Sequence, residues 1–260
     1  MSAIDQAIHY ATDQHAAQFR KGTNVPYILH PLETMNILMH MNADTNLLMA
    51  GVLHDTIEDT GATYEDIVQQ FGRDVANLVK AHSEDKSKTW QERKSATIEE
   101  LKYADRRLKM LVMADKVSNL RSIAADYLSC GDKLWTRFNA PKEKQSWYYS
   151  EIQDALWDMQ NDPDTSAVYW EMVGLYKDVF VKYYKSYPIP GYYENYIVQI
   201  SAHGIAFRLN KGCPQWYQVQ IPNIEDEECD QISRFEAEKT EDEWNGTFPQ
   251  VRSRDIKSDI

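Results

Sequence analysis

The most apolar helical segment of the chain, TNLLMAGVLHDTIED at residues 45–59, ends in four ionisable side chains. On a continuous helix His54 lies one turn before Glu58, and Asp55 lies one turn before Asp59, so each pair shares a face. A segment this apolar is expected at the centre of a helical bundle. Buried carboxylates are costly unless a metal, a base or hydrogen-bond donors accompany them. The segment therefore predicts a polar site inside a helical core.

Two more polar residues in the chain complete a candidate set of metal ligands. His30 stands in PYILHP, just before a predicted helix, and Asp115 stands inside the apolar run LVMADKVSNLR. Two histidines and two aspartates with open positions for water suit a divalent first-row metal such as Mn²⁺. Taken alone, each has a simpler explanation, such as a core histidine or an ion pair of Asp115 with Lys116 or Arg121; their joint order and spacing favour the metal site. The remaining histidines lack such neighbours and are predicted to be structural or surface residues: His9, His15, His40, His82 and His203.

Composition limits the partners and the compartment. The formal net charge of −12 argues against general nucleic-acid binding, which depends on clustered Lys and Arg. Residues 80–121 nevertheless hold eleven Lys or Arg, which can create a local basic field around a small anionic ligand. No apolar run reaches the roughly 20 residues needed to span a bilayer, and residues 1–19 lack the pattern of a secretory signal. Three scattered cysteines fit a reducing compartment, so we expect a cytoplasmic protein without membrane association.

The chain has two regions of different character. Helical periodicity extends over residues 1–183, in segments joined by short loops. The last predicted helix, SAVYWEMVGLYKDVFVKYY, covers residues 166–184, and the composition beyond it is rich in Pro, Gly, Tyr and β-branched residues. YIVQISAHGIAFRL alternates around Gly204 as in a hairpin, and QWYQVQI is a candidate third strand. We predict a domain of residues 1–184 and an extension of residues 185–260 that is β-hairpin-like and then acidic.

Four motifs follow one another along the helical region: RKGTNVPYILHP, HDTIEDT, SEDKSKTWQERK and MADKVSNLRSI. Together they resemble the HD-domain hydrolase of the Rel/Spo alarmone enzymes. The resemblance implies an all-α HD-domain fold, a helical bundle, to which the small β-containing extension is added. It implies that Glu58 and Asp59 support activation of water at a metal site, and that the reaction removes the 3′-pyrophosphate of ppGpp or pppGpp to leave GDP or GTP. The residues that it implies as Mn²⁺ ligands are His30, His54, Asp55 and Asp115.

The same resemblance implies residues that bind the substrate. Arg20 and Lys21 lie just upstream of the first ligand, where the family places substrate contacts. Asn119 lies one helical turn after Asp115 and by resemblance contacts the nucleotide. Phosphoryl transfer depends mainly on positioning and charge neutralisation, so further Lys and Arg are expected along the approach. Lys94, in the basic segment, is assigned to that role.

A second group of substrate contacts is predicted near residues 135–149. Small alarmone hydrolases place a basic residue, and an aromatic residue one helical turn later, close to the pyrophosphate. Lys144 and Tyr148 fit that pattern best, and Lys142 is a rival for the basic position. By contrast, Lys88 and Arg93 are expected to be solvated surface charges.

The leading hypothesis is a small stand-alone hydrolase of guanosine alarmones, with a nucleotide as its small-molecule substrate. The extension is too short for the synthetase domain of the long bifunctional members, so synthesis is not expected. Three alternatives stay open: an HD phosphohydrolase acting on ppApp, a pyrophosphorylated tRNA 3′ end or NADPH; an antitoxin to a cognate alarmone synthetase; and a catalytically silent nucleotide sensor. The extension is open between a lid, a homo-oligomer interface and a partner-binding module.

Overall fold

The computed structural model describes residues 1–186, 196–202, 204–211, 215–219 and 229–245. Contacts between residues divide the chain into two units. The first unit is helical and comprises Met1–Pro141 and Trp147–Leu175. The second unit comprises Lys142–Ser146 and Tyr176–Ile260, and it carries a β-sheet. The predicted architecture, helices followed by a small β-containing extension, is confirmed.

Helix starts follow capping signals in the sequence. The side chains of Ser2, Thr63 and Thr89 each accept a hydrogen bond from the backbone N–H three residues later, and the acidic side chain at that position accepts one from the backbone N–H of the capping residue. The helices are α1 (Ala3–Gln14), α2 (Leu29–His40), α3 (Thr45–Leu53), α4 (Thr56–Asp59), α5 (Tyr64–Phe71), α6 (Arg73–His82), α7 (Trp90–Tyr103), α8 (Arg106–Cys130), α9 (Lys142–Ala155) and α10 (Ser166–Phe180). Two 3₁₀ helices lie at Gly131–Arg137 and Trp157–Met159.

Helix α3 is the central helix of the first unit, as its apolar sequence predicts. It packs against α1, α2, α6 and α8, and Leu47 and Leu53 on it are fully buried. Gly51 marks the close approach of α3 to α2: a Cβ added there would lie 2.5 Å from Leu38 Cδ1 and 3.3 Å from the Cα of Met35. The missing side chain at Gly51 therefore lets these two helices come together beside the histidines that they carry.

The prediction of one continuous helix through residues 45–59 is wrong. Helix α3 ends at Leu53, and the short helix α4 begins at Thr56. Side chains take the carbonyls at the junction: His54 Nδ1–H donates to the Gly51 carbonyl oxygen at 2.8 Å, and Thr56 Oγ1–H donates to the Leu53 carbonyl oxygen at 2.7 Å. Such local bonds compete with the helical backbone pattern. These bonds accompany the end of α3 at the His54-Asp55 pair.

The second unit contains an antiparallel sheet with the strand order β4-β3-β2-β1-β5. The predicted hairpin is formed by β2 and β3, with Gly204 at φ 85° in its turn; His203 lies outside the described residues. Alternation along the strands gives the sheet two apolar faces, one with Ile197 and Leu209 and the other with Tyr196 and Val198. The strands are β1 (Val181–Ser186), β2 (Tyr196–Ser201), β3 (Ala206–Asn210), β4 (Tyr217–Val219) and β5 (Cys229–Ile232).

The last predicted helix, residues 166–184, extends too far, because its end belongs to a strand. Helix α10 ends at Phe180, and Val181–Ser186 form β1, which pairs with both β2 and β5. This VKYYKS segment holds a β-branched residue and two tyrosines, which suit a strand that has neighbours on both sides. Pairing in the sheet therefore outweighs the helical spacing. The predicted boundary at residue 184 lies inside β1, and the independence of residues 1–184 as a domain stays a prediction.

The acidic stretch of the extension contains a helix. Helix α11 (Arg234–Asn245) packs on β1, and its Ala237 joins the apolar face that includes Leu209 and Trp216. Arg234 at its start pairs with Asp178 at 2.6 Å. The end of the chain, residues 246–260, lies outside the described residues. Among the helices that the structure describes, each is too short or too polar to cross a membrane.

We expect Gly51→Ala to destabilise the first unit by about 1–3 kcal/mol, because overpacking forces neighbouring atoms to move. The added methyl meets both the Leu38 side chain and the α2 backbone. Chemical denaturation followed by circular dichroism measures the change. Gly61→Ala is the matched control, since a Cβ there has no heavy atom within 4 Å among the described residues. A Gly51→Ala protein as stable as the control would contradict the packing role of this glycine.

Candidate metal centre

Two buried histidines face each other between α2 and the end of α3. His30 Nε2 and His54 Nε2 are 3.2 Å apart, and hydrogen bonds hold both rings from behind. His54 Nδ1–H donates to the Gly51 carbonyl oxygen, and His30 Nδ1–H donates to Ser118 Oγ at 2.8 Å. Ser118 donates its own hydroxyl proton to Glu33 at 2.7 Å, so it is available as an acceptor for His30. Bonds of this kind fix ring orientation and turn Nε2 towards a metal.

Two buried carboxylates converge on the same point. Asp115 Oδ1 lies 3.2 Å from His30 Nε2, and Asp55 Oδ2 lies 2.9 Å from His54 Nε2. The ligand atoms of His30, His54 and Asp115 all lie within 4.8 Å of one another. The structure thus brings together the four residues that the sequence predicts as ligands. A set of two imidazole nitrogens and carboxylate oxygens fits a divalent first-row cation.

Electrostatics at the cluster also fit a bound cation. Burial alone would lower the pKa of His54, but the Asp55 carboxylate outweighs it and raises that pKa to about 9. Burial lowers the pKa of His30, and the hydrogen bond with Asp115 only partly offsets this. Without a metal, the Nε2 atoms of the two histidines therefore hold one proton between them, beside the carboxylates of Asp55 and Asp115. Metal binding requires neutral histidines, so a bound cation would replace that proton.

Tyr27 is a member of the site that sequence reasoning missed. Its hydroxyl donates to Asp55 Oδ2 at 2.6 Å and lies 3.4 Å from Asp59 Oδ2. Burial, with the Asp55 charge next, raises the pKa of Tyr27 far above its usual range, so the hydroxyl stays a donor. Asp59 in turn accepts a hydrogen bond from Lys86 at 2.5 Å. The signal was available, since Tyr27 stands three residues before His30 in the same motif.

Glu58 is placed as a candidate proton acceptor. It borders the same cavity as His30, Asp55 and Asp115. Its Oε2 accepts a hydrogen bond from the backbone N–H of Glu84 at 3.0 Å, which fixes the carboxylate. Burial above all raises the pKa of Glu58, although the bond from Glu84 opposes the shift. A raised pKa brings a carboxylate nearer to the range useful for general base catalysis.

The cluster opens into a cavity of about 290 Å³ in the first unit. Three of the candidate ligands, His30, Asp55 and Asp115, line it together with Glu58, and other lining residues come from α7 and the loop before it. Four cationic side chains also line the cavity, Lys88, Arg93, Lys94 and Lys116, interspersed with the acidic Glu84, Asp85 and Glu100. Candidate metal ligands and several cations in one cavity suit a polyphosphate.

Glu84 binds two of these cationic side chains, and sequence analysis did not predict this role. It accepts hydrogen bonds from Lys94 at 2.7 Å and from Arg93 at 3.1 Å. The prediction of Arg93 as a solvated surface charge is wrong, because its side chain is only 20% exposed, whereas Lys88 is 52% exposed. Lys94 Nζ also lies 4.7 Å from the ring centre of buried Tyr148. Glu84 lies nine residues before Arg93, outside the spacing of helical neighbours, so local sequence did not show that Arg93 is enclosed.

The other predicted substrate residues have different surroundings. Asn119 donates to Asp115 Oδ1 at 2.6 Å and accepts from Arg20 at 2.9 Å, so Arg20 and Asn119 join the cluster. Lys21 instead donates to Asn139 at 2.9 Å. The rival residues Lys142 and Lys144 lie at the start of α9, and only this Lys142–Ser146 part of the helix belongs to the second unit.

His82 also contacts the cluster, which its sequence neighbours did not predict. Its Nε2 lies 3.2 Å from Asp115 Oδ2, and its ring packs edge-on against His54 at 5.0 Å. Lys116 donates to the same Asp115 oxygen at 2.6 Å. Burial alone would raise the pKa of Asp115, but the Lys116 charge and the bonds from His30 and His82 hold it well below its usual range.

Residues 7–137 match the model of the HD domain. The chain belongs to the HD domain family. Its HD domain is similar to guanosine-3′,5′-bis(diphosphate) 3′-pyrophosphohydrolase MESH1 of Xenopus tropicalis, with 40% identity over 136 residues that cover 51% of this chain and 74% of the relative. The Drosophila melanogaster protein of the same name is 39% identical over 121 residues, covering 45% and 68%.

A solved structure supports the same grouping of this HD domain. It belongs to a metazoan ortholog of SpoT that hydrolyses ppGpp, and it matches with a TM-score of 0.56 and 28% identity. The match covers 68% of this chain and 95% of that one. The predicted HD-domain fold and the resemblance to the small stand-alone alarmone hydrolases are confirmed.

We expect Asp55→Asn to weaken metal binding by the HD domain, because a neutral amide replaces an anionic donor beside His54. Glu58→Gln is the comparison: it removes a cavity charge outside the four candidate ligands and is expected to retain the metal. Elemental analysis after dialysis against limiting Mn²⁺ measures both. If Asp55→Asn keeps the wild-type metal content, or if Glu58→Gln loses as much metal, the assignment of ligands is incorrect.

Proposed function

We propose that this HD domain protein hydrolyses the 3′-pyrophosphate of guanosine alarmones, converting ppGpp and pppGpp to GDP and GTP with release of pyrophosphate. One observation carries the proposal: one cavity brings the candidate ligands His30, Asp55 and Asp115 together with Glu58 and with several lysines and an arginine. The names and reactions of the relatives point to the same substrate class. The reaction needs a cation for the phosphoryl oxygens, a proton acceptor and positive charge for the rest of the substrate.

The metal that we propose is Mn²⁺, held by His30, His54, Asp55 and Asp115. Their mixture of imidazole and carboxylate donors is compatible with this cation, and their ligand atoms already converge. When bound, such a cation lowers the pKa of water towards neutrality and withdraws charge from a phosphoryl group. Tyr27 keeps Asp55 oriented by donating to one of its oxygens.

Glu58 is proposed to accept a proton from the attacking water. The backbone bond from Glu84 occupies Oε2 and holds the carboxylate at the cavity wall, which leaves Oε1 to take the proton. Asp59 supports the same step less directly, since Lys86 and Tyr27 neighbour its oxygens. The division of labour follows from the surroundings: Glu58 borders the cavity, whereas Asp59 is paired with a cation.

The phosphates of the substrate are proposed to lie beside the cationic side chains that line the cavity. Lys94 and Arg93 share the carboxylate of Glu84, so an entering phosphate competes with an anion that is already present. Arg20 and Asn119 form a second polar contact next to the metal ligands. Lys21 and Tyr148 are the remaining residues of the first unit that we propose to bind substrate, and the roles of Lys142 and Lys144 stay predictions.

We also propose a cytoplasmic location. Three scattered cysteines fit a reducing compartment. A cognate alarmone synthetase or a second copy of the chain as partner stays a prediction.

Purified protein should release pyrophosphate from ppGpp in the presence of Mn²⁺ and should lose this activity with EDTA. Chromatography of the products is expected to show GDP alone from ppGpp and GTP alone from pppGpp. Parallel reactions with ppApp and NADPH measure selectivity. Turnover of ppApp or NADPH without turnover of ppGpp would contradict the proposed substrate, and no turnover of any of them would contradict an enzymatic function.

Variants of the cavity show whether the activity belongs to this site. Glu58→Gln keeps the shape of the side chain and removes its basicity. Turnover should therefore fall by about 10²- to 10⁴-fold, as is typical when general acid–base catalysis is lost. The matched control is Glu65→Gln at an exposed position of α5, which should leave turnover unchanged. Full activity of Glu58→Gln at saturating Mn²⁺ would exclude Glu58 as the proton acceptor.

A further inference from the structure

Asp115 is held by more donors than the other candidate ligands. Its Oδ1 lies 3.2 Å from His30 Nε2 and accepts from Asn119 at 2.6 Å. Its Oδ2 accepts from Lys116 at 2.6 Å and lies 3.2 Å from His82 Nε2. One oxygen of Asp115 therefore faces the cluster, while the other is held on the side away from His30.

The two donors to Oδ2, Lys116 and His82, constrain the Asp115 carboxylate differently. Lys116 is the next residue on the same helix, α8, so its bond links Asp115 to its immediate neighbour. His82 is the last residue of α6 and reaches Asp115 across a helix contact. A bond between two packed helices fixes the rotation of the carboxylate relative to the rest of the cluster.

His82 does not itself lie in the set of converging ligand atoms. The atoms of His30, His54 and Asp115 lie within 4.8 Å of one another, and Asp55 Oδ2 lies 2.9 Å from His54 Nε2, whereas His82 Nε2 contacts the outer oxygen of Asp115. Its ring packs edge-on against His54, with the ring planes at 85°. The side chain therefore touches two candidate ligands without being placed as a ligand.

The other ring nitrogen of His82 makes the residue an unfavourable choice for stability alone. Nδ1 is buried and has no hydrogen-bond partner among the described residues. A buried polar atom left without a partner destabilises a fold, and an apolar side chain of similar shape avoids this cost. The contact with Asp115 is thus the feature of His82 that packing does not explain.

We propose that His82 is a positioning residue for the metal centre: it holds Asp115 Oδ2 so that Oδ1 is presented to the cation. The inference rests on the metal site of the proposed function and extends it to a residue outside the ligand set. Partners that orient a ligand from behind commonly change metal affinity by 10- to 100-fold when they are removed. His82 acts through Asp115, and no contact of its own with the substrate is required.

The test compares three variants of the full-length protein. His82→Phe keeps a ring and removes both nitrogens, His82→Leu is a smaller apolar alternative, and His82→Gln retains a donor. The Mn²⁺ dissociation constant is measured on metal-free protein by electron paramagnetic resonance of free Mn²⁺. The thermal unfolding midpoint of the same metal-free samples is measured alongside it.

The apolar variants should bind Mn²⁺ about 10- to 100-fold more weakly, with an unfolding midpoint of the metal-free protein that is unchanged or higher. His82→Gln should recover most of the affinity, which a purely structural role does not predict. Unchanged Mn²⁺ affinity in a folded apolar variant would overturn the inference. So would failure of both apolar variants to fold, or a drop in unfolding midpoint that parallels the loss of affinity, because either shows that the fold itself needs His82.

Failure of this inference is distinguishable from failure of the proposed function. The metal affinity and the unfolding midpoint are measured without substrate, so they report on His82 whatever the reaction is. Hydrolysis of ppGpp by the wild-type protein, with wild-type Mn²⁺ affinity in His82→Phe, rejects the inference and retains the function. Weaker Mn²⁺ binding by His82→Phe, with no turnover of ppGpp by the wild type, supports the inference and rejects the function.

Discussion

The contact between His30 and His54 is the feature on which the rest of the site depends. Two imidazole nitrogens 3.2 Å apart in a buried position share one proton at most or face a cation. Gly51 allows α2 and α3 to approach closely, and its carbonyl orients the His54 ring. The same glycine thus contributes to helix packing through its missing side chain and to ring orientation through its backbone.

Buried charge around this contact is balanced in layers. Asp55 and Asp115 supply negative charge next to the histidines, and Tyr27, Lys116, Asn119 and His82 donate to their oxygens. Beyond that layer, Glu84 pairs with Arg93 and Lys94 and also fixes Glu58 through its backbone. Polar groups inside a protein stabilise only when they are satisfied together, which explains why the site draws on so many elements of the first unit.

The sequence predicts the parts of the site that depend on order and local spacing. Asp115 and Asn119 lie one turn apart on α8, as predicted, and the motifs carrying His30 and the His-Asp pair supply the other candidate ligands. The helical region and the hairpin around Gly204 follow from periodicity in the same way.

What local spacing does not show depends on tertiary contacts. His82 reaches Asp115 only because α6 packs on α8, and Arg93 is enclosed only because Glu84 folds back on α7. The break after Leu53 comes from side chains that take backbone carbonyls. The strand at Val181–Ser186 arises because two other strands pair with it, which overrides helical spacing in that segment.

The central claim is that one metal is bound where the two histidines and the two aspartates converge. Anomalous diffraction at the manganese edge, from crystals grown with Mn²⁺, tests it most directly. We predict one strong peak bonded to Nε2 of His30, Nε2 of His54 and a carboxylate oxygen of each of Asp55 and Asp115. A peak at other residues, or an absence of any peak in this cluster at saturating Mn²⁺, would contradict the claim.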